Sequence, residues 1–220
     1  MNIIFSASYK KEYTTHFCLH HACGLLNNPL ASTINHTAEN VNQAHKERWN
    51  YPDPMTGKFG WYNFFIGSLG EITQFRAIGS ETMAQKGYNF NGQVISVCLA
   101  GNFNKHSITG KMVDEPTQAQ IEALRGLFSE IRAYTDIRPY NIVGHRYFSQ
   151  TDCPGTGLPD NWARNIILDR NTQLSLIQQM LSELFDLIRK LKAKQLGGGS
   201  TPCNEQLKDF YKKYLKQGID

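Results

Sequence analysis

The stretch His16-Phe17-Cys18-Leu19-His20 reads as a short buried strand, apolar and aromatic at its centre. Polar residues precede it, and a Gly24-Leu25-Leu26-Asn27-Asn28-Pro29 break follows. Its end delivers His20 and His21 to a loop. Downstream, Val41, Ala44 and Trp49 among polar neighbours predict an amphipathic helix over Ile34 to Trp49, stopped by Asn50-Tyr51-Pro52-Asp53-Pro54. A hairpin is expected next: Trp61 to Ile66, a Ser68-Leu69-Gly70 turn, then Glu71 to Phe75. Val94 to Ala100 is continuously apolar, as a central strand covered on both faces requires.

Pro116-Thr117 opens a helix in which Ile121, Leu124, Leu127, Phe128 and Ile131 recur at helical spacing. Ile142-Val143 begins another short strand that leads into Gly144-His145-Arg146. After the Cys153-Pro154-Gly155 turn, Asp160 to Leu168 looks like a short helix. Strand, helix, hairpin, strand, helix, strand, helix is the order of an α/β fold: a mixed central sheet flanked by helices, here over residues 1–170, followed by a C-terminal helical extension.

In that extension Leu174, Ile177, Leu181, Leu184, Ile188 and Leu191 step by alternating threes and fours, a heptad seam over residues 171–196. Leu176, Met180, Phe185 and Leu187 widen the stripe. Two readings stay open: a homo-oligomer formed through this helix, or a helix docked on its own domain. Gly197-Gly198-Gly199-Ser200 is a flexible linker, and residues 201–220 suggest one more short helical segment.

The chain of 220 residues, 40% apolar, suits one domain of ordinary size plus appended structure. The formal net charge of +4 is carried mostly beyond residue 170; it suits an anionic envelope and falls far short of a nucleic-acid-binding signature. The five cysteines show no paired C-x-x-C spacing, which argues against a disulfide framework or a zinc finger. The start lacks a basic segment followed by a sustained apolar run, and no stretch is long and apolar enough to be a transmembrane segment. Cytoplasmic synthesis without a classical signal peptide is the expectation.

A catalytic zinc takes three nitrogen, sulfur or oxygen ligands and keeps a fourth position open for water. His20 ends one predicted strand, His145 follows another, and Cys153 sits before a Pro-Gly turn, so the three can converge on one rim. Spacing alone leaves open that they are hydrogen-bonded structural residues. Cys18 is expected to face away from His20 and to pack as a small apolar group, and Cys98 to pack likewise in its strand.

Several blocks occur in order: Leu19-His20-His21-Ala22; Trp61-Tyr62-Asn63-Phe64-Phe65-Ile66-Gly67; Ser96-Val97-Cys98-Leu99-Ala100-Gly101-Asn102-Phe103; Pro116-Thr117-Gln118; Gly144-His145-Arg146; and Thr151-Asp152-Cys153-Pro154-Gly155. Together they resemble the type 2 N-acetylmuramoyl-L-alanine amidases, a family that includes phage amidase lysins and animal peptidoglycan recognition proteins. The likeness runs from about Thr15 to Trp162. It implies that His20, His145 and Cys153 hold Zn2+, with His21 in the pocket wall or a structural hydrogen bond. It further implies Tyr62 and Thr151 as catalytic residues, and His45, Trp61, Asn63 and Arg76 as substrate-facing ones. Threonine at position 151 looks more like the recognition-protein branch than the lysine-bearing phage lysins.

The chemistry is consistent with that set. An amide is a poor electrophile, and zinc both lowers the pKa of its water and polarises a carbonyl. Tyr62 and Thr151 carry hydroxyls able to stabilise a developing oxyanion. The implied function is hydrolysis of the amide between N-acetylmuramic acid and L-alanine in peptidoglycan, by a phage-type or bacterial lysin that reaches the wall after release. The alternatives are a non-catalytic peptidoglycan-binding module, an assembly protein of a phage particle, and a cytosolic amidase recycling anhydromuropeptides. Those recycling relatives generally carry Asp where this chain has Cys153.

Overall fold

A computed structural model of the chain describes residues 2–85 and 92–168. The heptad helix, the linker and the last helical segment predicted over residues 171–220 lie outside the described residues.

Among the described residues, five strands form one sheet: β1 (His16–His21), β2 (Phe64–Ile66), β3 (Ile72–Gln74), β4 (Val94–Leu99) and β5 (Ile142–Gly144), in the order β3-β2-β4-β1-β5. β1 runs parallel to both β4 and β5, β4 is parallel to β2, and only the β2–β3 hairpin is antiparallel. The mixed sheet and its flanking helices, α1 (Ala38–Trp49), α2 (Gln118–Arg132) and α3 (Trp162–Ile167), match the architecture expected from the order of elements.

The central strands are buried on both faces, which explains their unbroken apolar runs. Phe17 and Leu19 point to the face covered by α2, where Phe17 meets Phe128 edge-on at 5.2 Å between ring centroids. Cys18 and His20 point to the other face. Residues two apart on a strand share a side, so Cys18 lies on the same face as His20, not away from it. The register sets Cys18 beside Ser96 and His20 beside Cys98. This face is covered in part by α1, whose Val41 packs with Phe65, Phe75, Cys98 and Ala100.

Helix starts are set by capping. α1 begins four residues later than its apolar spacing suggests because Thr37 accepts from the Asn40 amide at 3.2 Å in a capping box. Thr117 does the same for α2 through Gln120. That capping turns Gln120 inward, and its Nε2 donates to Ala100 O at 2.8 Å and to Ile66 O at 3.3 Å. Leu124, Leu127, Phe128 and Ile131 are buried as predicted, while Ile121 is not fully so. β2 starts at Phe64, later than the predicted Trp61, because the Trp61 amide donates to His45 Nδ1 at 3.0 Å instead of to a neighbouring strand.

Asp114, nearly buried, accepts from Ser32 Oγ, Thr33 N and Asn102 N, and so pins the loop after β1 to the turn after β4. Among the described residues no helix is long and apolar enough to cross a membrane.

Candidate metal centre

His20 stands at the C-terminal half of β1, and β5 on its flank ends at Gly144, immediately before His145. Parallel neighbours bring both imidazoles to one edge of the sheet, with ring centroids 4.6 Å apart. Cys153 arrives on the following loop. Arg146 holds that loop in place: its amide donates to Cys153 O at 3.1 Å, and its guanidinium donates to Gly155 O and Asp152 O and pairs with Asp160 at 3.1 Å. Gly144 completes the approach, since a β-carbon there would lie 2.7 Å from Cδ of Pro154. Gly155, at φ 118°, turns the chain against the backbone of Phe103 where a side chain has no room.

The result is a cluster of three donors. Ligand atoms of His20, His145 and Cys153 all lie within 4.8 Å of one another, and His20 Nδ1 is 3.6 Å from Cys153 Sγ. Atoms bound at about 2.1 and 2.3 Å to one tetrahedral centre stand roughly 3.5 Å apart. The donor set of two imidazoles and one thiolate is also a zinc-type set.

Electrostatics agree. Burial, with His145 and His21 adding to it, holds the His20 pKa well below its ordinary value, and burial lowers that of His145. Both rings therefore stay neutral with a lone pair to offer. Burial pushes the Cys153 thiol up to about 12, opposed by a hydrogen bond from the His21 backbone N–H. A dication beside the sulfur reverses that balance, because a coordinating thiol is deprotonated outright. His145 Nε2 is 3.1 Å from Ser149 Oγ, which leaves Nδ1 for a metal. The residues present thus fit a zinc ion.

Tyr62 borders the cluster, its ring 5.2 Å from that of His20. Its hydroxyl hydrogen-bonds with Cys98, and burial raises its pKa well above the ordinary value, so it remains a phenol. Thr151 Oγ1 accepts from the Cys153 amide at 3.3 Å and keeps its own proton free to donate. His21 accepts from Phe103 N at 3.2 Å through Nδ1, a structural bond on the opposite face of β1.

The remaining residues that the family resemblance singled out divide into two groups. His45 and Trp61 extend from Tyr62 as an aromatic shelf: His45 is 5.8 Å from Tyr62 and 4.9 Å from Trp49, and Trp49 stacks on Trp61 at 3.7 Å. Asn63 and Arg76 are set in the framework instead. Asn63 bridges Ala77 O and Ser96 N. Arg76, 1% exposed, donates through its guanidinium to the carbonyls of Gly60, Tyr51 and Glu81. Four neighbours of the site were not picked out from sequence. Arg146 stands inside the Gly-His-Arg block, Ser149 lies one turn beyond His145, Trp49 has the pattern of a helix residue, and Gln85, 3.3 Å from His20 Nε2, has no motif around it.

Comparison with known proteins places this arrangement. The chain is 29% identical over 148 residues to peptidoglycan-recognition protein SC2 of Drosophila melanogaster, spanning 67% of this chain and 71% of that one. It is 29% identical over 125 residues to the human N-acetylmuramoyl-L-alanine amidase, spanning 54% of this chain and 19% of that protein. Two solved structures share the fold with TM-scores of 0.50. One is the Ph2119 endolysin of a Thermus scotoductus bacteriophage, at 16% identity over 69% of this chain and 83% of that one. The other is Drosophila peptidoglycan recognition protein SD, at 18% identity over 72% and 82%. The family model described as N-acetylmuramoyl-L-alanine amidase matches residues 14–156, about two thirds of the chain including all three donors, and the chain belongs to that family.

Proposed function

We propose that this chain is a zinc-dependent hydrolase that cleaves the amide between N-acetylmuramic acid and L-alanine in peptidoglycan. The observation that carries the reading is the convergence of His20, His145 and Cys153 with the Tyr62 phenol beside them. Bound zinc supplies a water of lowered pKa and polarisation of the scissile carbonyl. His20 and His145 hold it as neutral imidazoles and Cys153 as a thiolate. Tyr62 remains a phenol and, on exchanging its hydrogen bond to Cys98, donates to the oxyanion that develops. The Thr151 hydroxyl, anchored through its oxygen to the Cys153 amide, donates a second. The Trp49–Trp61 stack beside His45 offers a flat apolar platform for a sugar ring or stem-peptide side chain.

A non-catalytic peptidoglycan-binding module is the rival reading, and the presence of Cys153 with Tyr62 favours the enzyme. Action on the wall after release, in the manner of a phage lysin, is part of the same proposal. Mass spectrometry of sacculi digested with and without a chelator tests it. Free stem peptides that disappear on metal removal and return with zinc support the enzyme; sacculi that bind the protein but stay intact overturn it in favour of the binding module.

A further inference from the structure

Gln85 lies between β3 and β4, outside any helix or strand, yet it is 3% exposed. Its carboxamide reaches over the sheet face that carries Cys18, His20 and Ser96. As placed, its Nε2 is 3.3 Å from His20 Nε2 and donates to Ser96 Oγ, and its Oε1 accepts from Thr82 Oγ1 at 3.3 Å. The Cys18 sulfur accepts a further hydrogen bond from Gln85. Ser96 is itself fixed, since its amide donates to Asn63 Oδ1 at 2.9 Å.

A neutral imidazole carries one proton on its two nitrogens. Nδ1 of His20 faces Cys153 Sγ at 3.6 Å, so a lone pair for a metal is available there only when the proton is on Nε2. A buried Nε2–H needs an acceptor. The two ends of a carboxamide have the same shape, and the hydrogen-bond network decides which faces the ring. Turned end for end, with its oxygen toward His20, Gln85 accepts from both Nε2–H and the Ser96 hydroxyl while its NH2 donates to Thr82 Oγ1, so each of these contacts is kept with donor and acceptor exchanged. With its nitrogen toward the ring, the His20 proton is forced onto Nδ1, the atom that faces Cys153.

We propose that Gln85 is a positioning residue that fixes His20 as the Nε2–H tautomer and aims Nδ1 at the metal. The proposal rests on the zinc reading of the site. It places Gln85 behind His20 in the role that Ser149 holds behind His145.

The test is metal affinity of the full chain, measured by zinc titration against a competing chelator and by the absorption of the cobalt-loaded form. Gln85→Leu is expected to weaken zinc binding about 10- to 100-fold with the far-ultraviolet circular dichroism unchanged. Gln85→Glu, which keeps an acceptor oxygen, is expected to restore most of the affinity. Equal affinity in the parent and Gln85→Leu overturns the proposal while leaving the zinc reading intact. A parent that takes up neither metal overturns both. A measurement on the unsubstituted protein covers a Gln85→Leu chain that fails to fold: 15N–1H correlation of the metal-free histidines is expected to place the His20 proton on Nε2, and a proton on Nδ1 overturns the proposal.

Discussion

Gly144 and Pro154 approach so closely that a β-carbon on the glycine would fall 2.7 Å from the proline Cδ. That contact sets the distance between the two turns that carry His145 and Cys153. Gly144→Ala is therefore expected to cost about 1–3 kcal/mol by overpacking and to weaken zinc binding as the turns separate. Urea unfolding and a chelator competition, run on the same preparations, check both halves of this expectation. Loss of stability with unchanged metal affinity argues that the turns do not set the site.

On the zinc reading, the ion ties His20 to His145 and Cys153 far along the chain and binds the folded chain only, so it is expected to stabilise by mass action. At a free zinc concentration a hundredfold above Kd the gain is about 2.7 kcal/mol, and the melting temperature rises by roughly 5–10 °C for a domain of this size. Cys153→Ala is expected to abolish that rise. Thermal scans of parent and variant, with zinc and with chelator, provide the comparison.

Tyr62→Phe removes a hydroxyl and leaves the ring beside His20. Zinc content is expected to stay unchanged while kcat on muropeptides falls about 10²- to 10³-fold. Thr151→Ala differs in kind, because the Thr151 oxygen also accepts the Cys153 amide. It is expected to lower both activity and metal affinity, with Thr151→Ser restoring both.

His45 is a pH-sensitive element of the aromatic shelf. Burial, with Arg76 and Arg48 adding to it, lowers its pKa from 6.5 to about 4. The folded state thus prefers the neutral ring, which accepts the Trp61 amide through Nδ1. Its contribution is fully present above pH 6.5 and is lost as pH falls toward 4. Because the ring is partly exposed, about 1–2 kcal/mol is expected over that window. His45→Gln keeps an acceptor without the titration, so its unfolding free energy is expected to fall less between pH 7 and 4.5.

Asp114→Ala leaves three donors, Ser32 Oγ, Thr33 N and Asn102 N, without their shared acceptor. A loss of about 3 kcal/mol or more is expected in chemical unfolding. A loss below about 1 kcal/mol shows that water replaces the carboxylate.

The parts of the fold legible in the sequence are those where one rule dominates. β1 and β4 are covered on both faces, so their apolar runs are unbroken, and α2 carries its core residues at helical spacing. The three metal donors were visible only as members of ordered blocks; nothing in their spacing separates a ligand histidine from a structural one. Less legible were polar groups whose partners are main-chain atoms far along the chain. Gln120, Asn63 and Arg76 are buried because carbonyls or amides remote in sequence wait for them. No local pattern announces such a pairing. The same holds for the delayed start of β2, where a side chain of α1 takes an amide that the hairpin pattern assigned to a strand.

The position of β1 between β4 and β5 has a consequence for the timing of synthesis. His20 is made before both strands that flank it and before the other two donors of the cluster. Until Cys153 has cleared the exit tunnel, no arrangement of the nascent chain contains the complete donor set. Under the proposed function, a chain arrested before Cys153 is therefore expected to lack a complete seat for the ion.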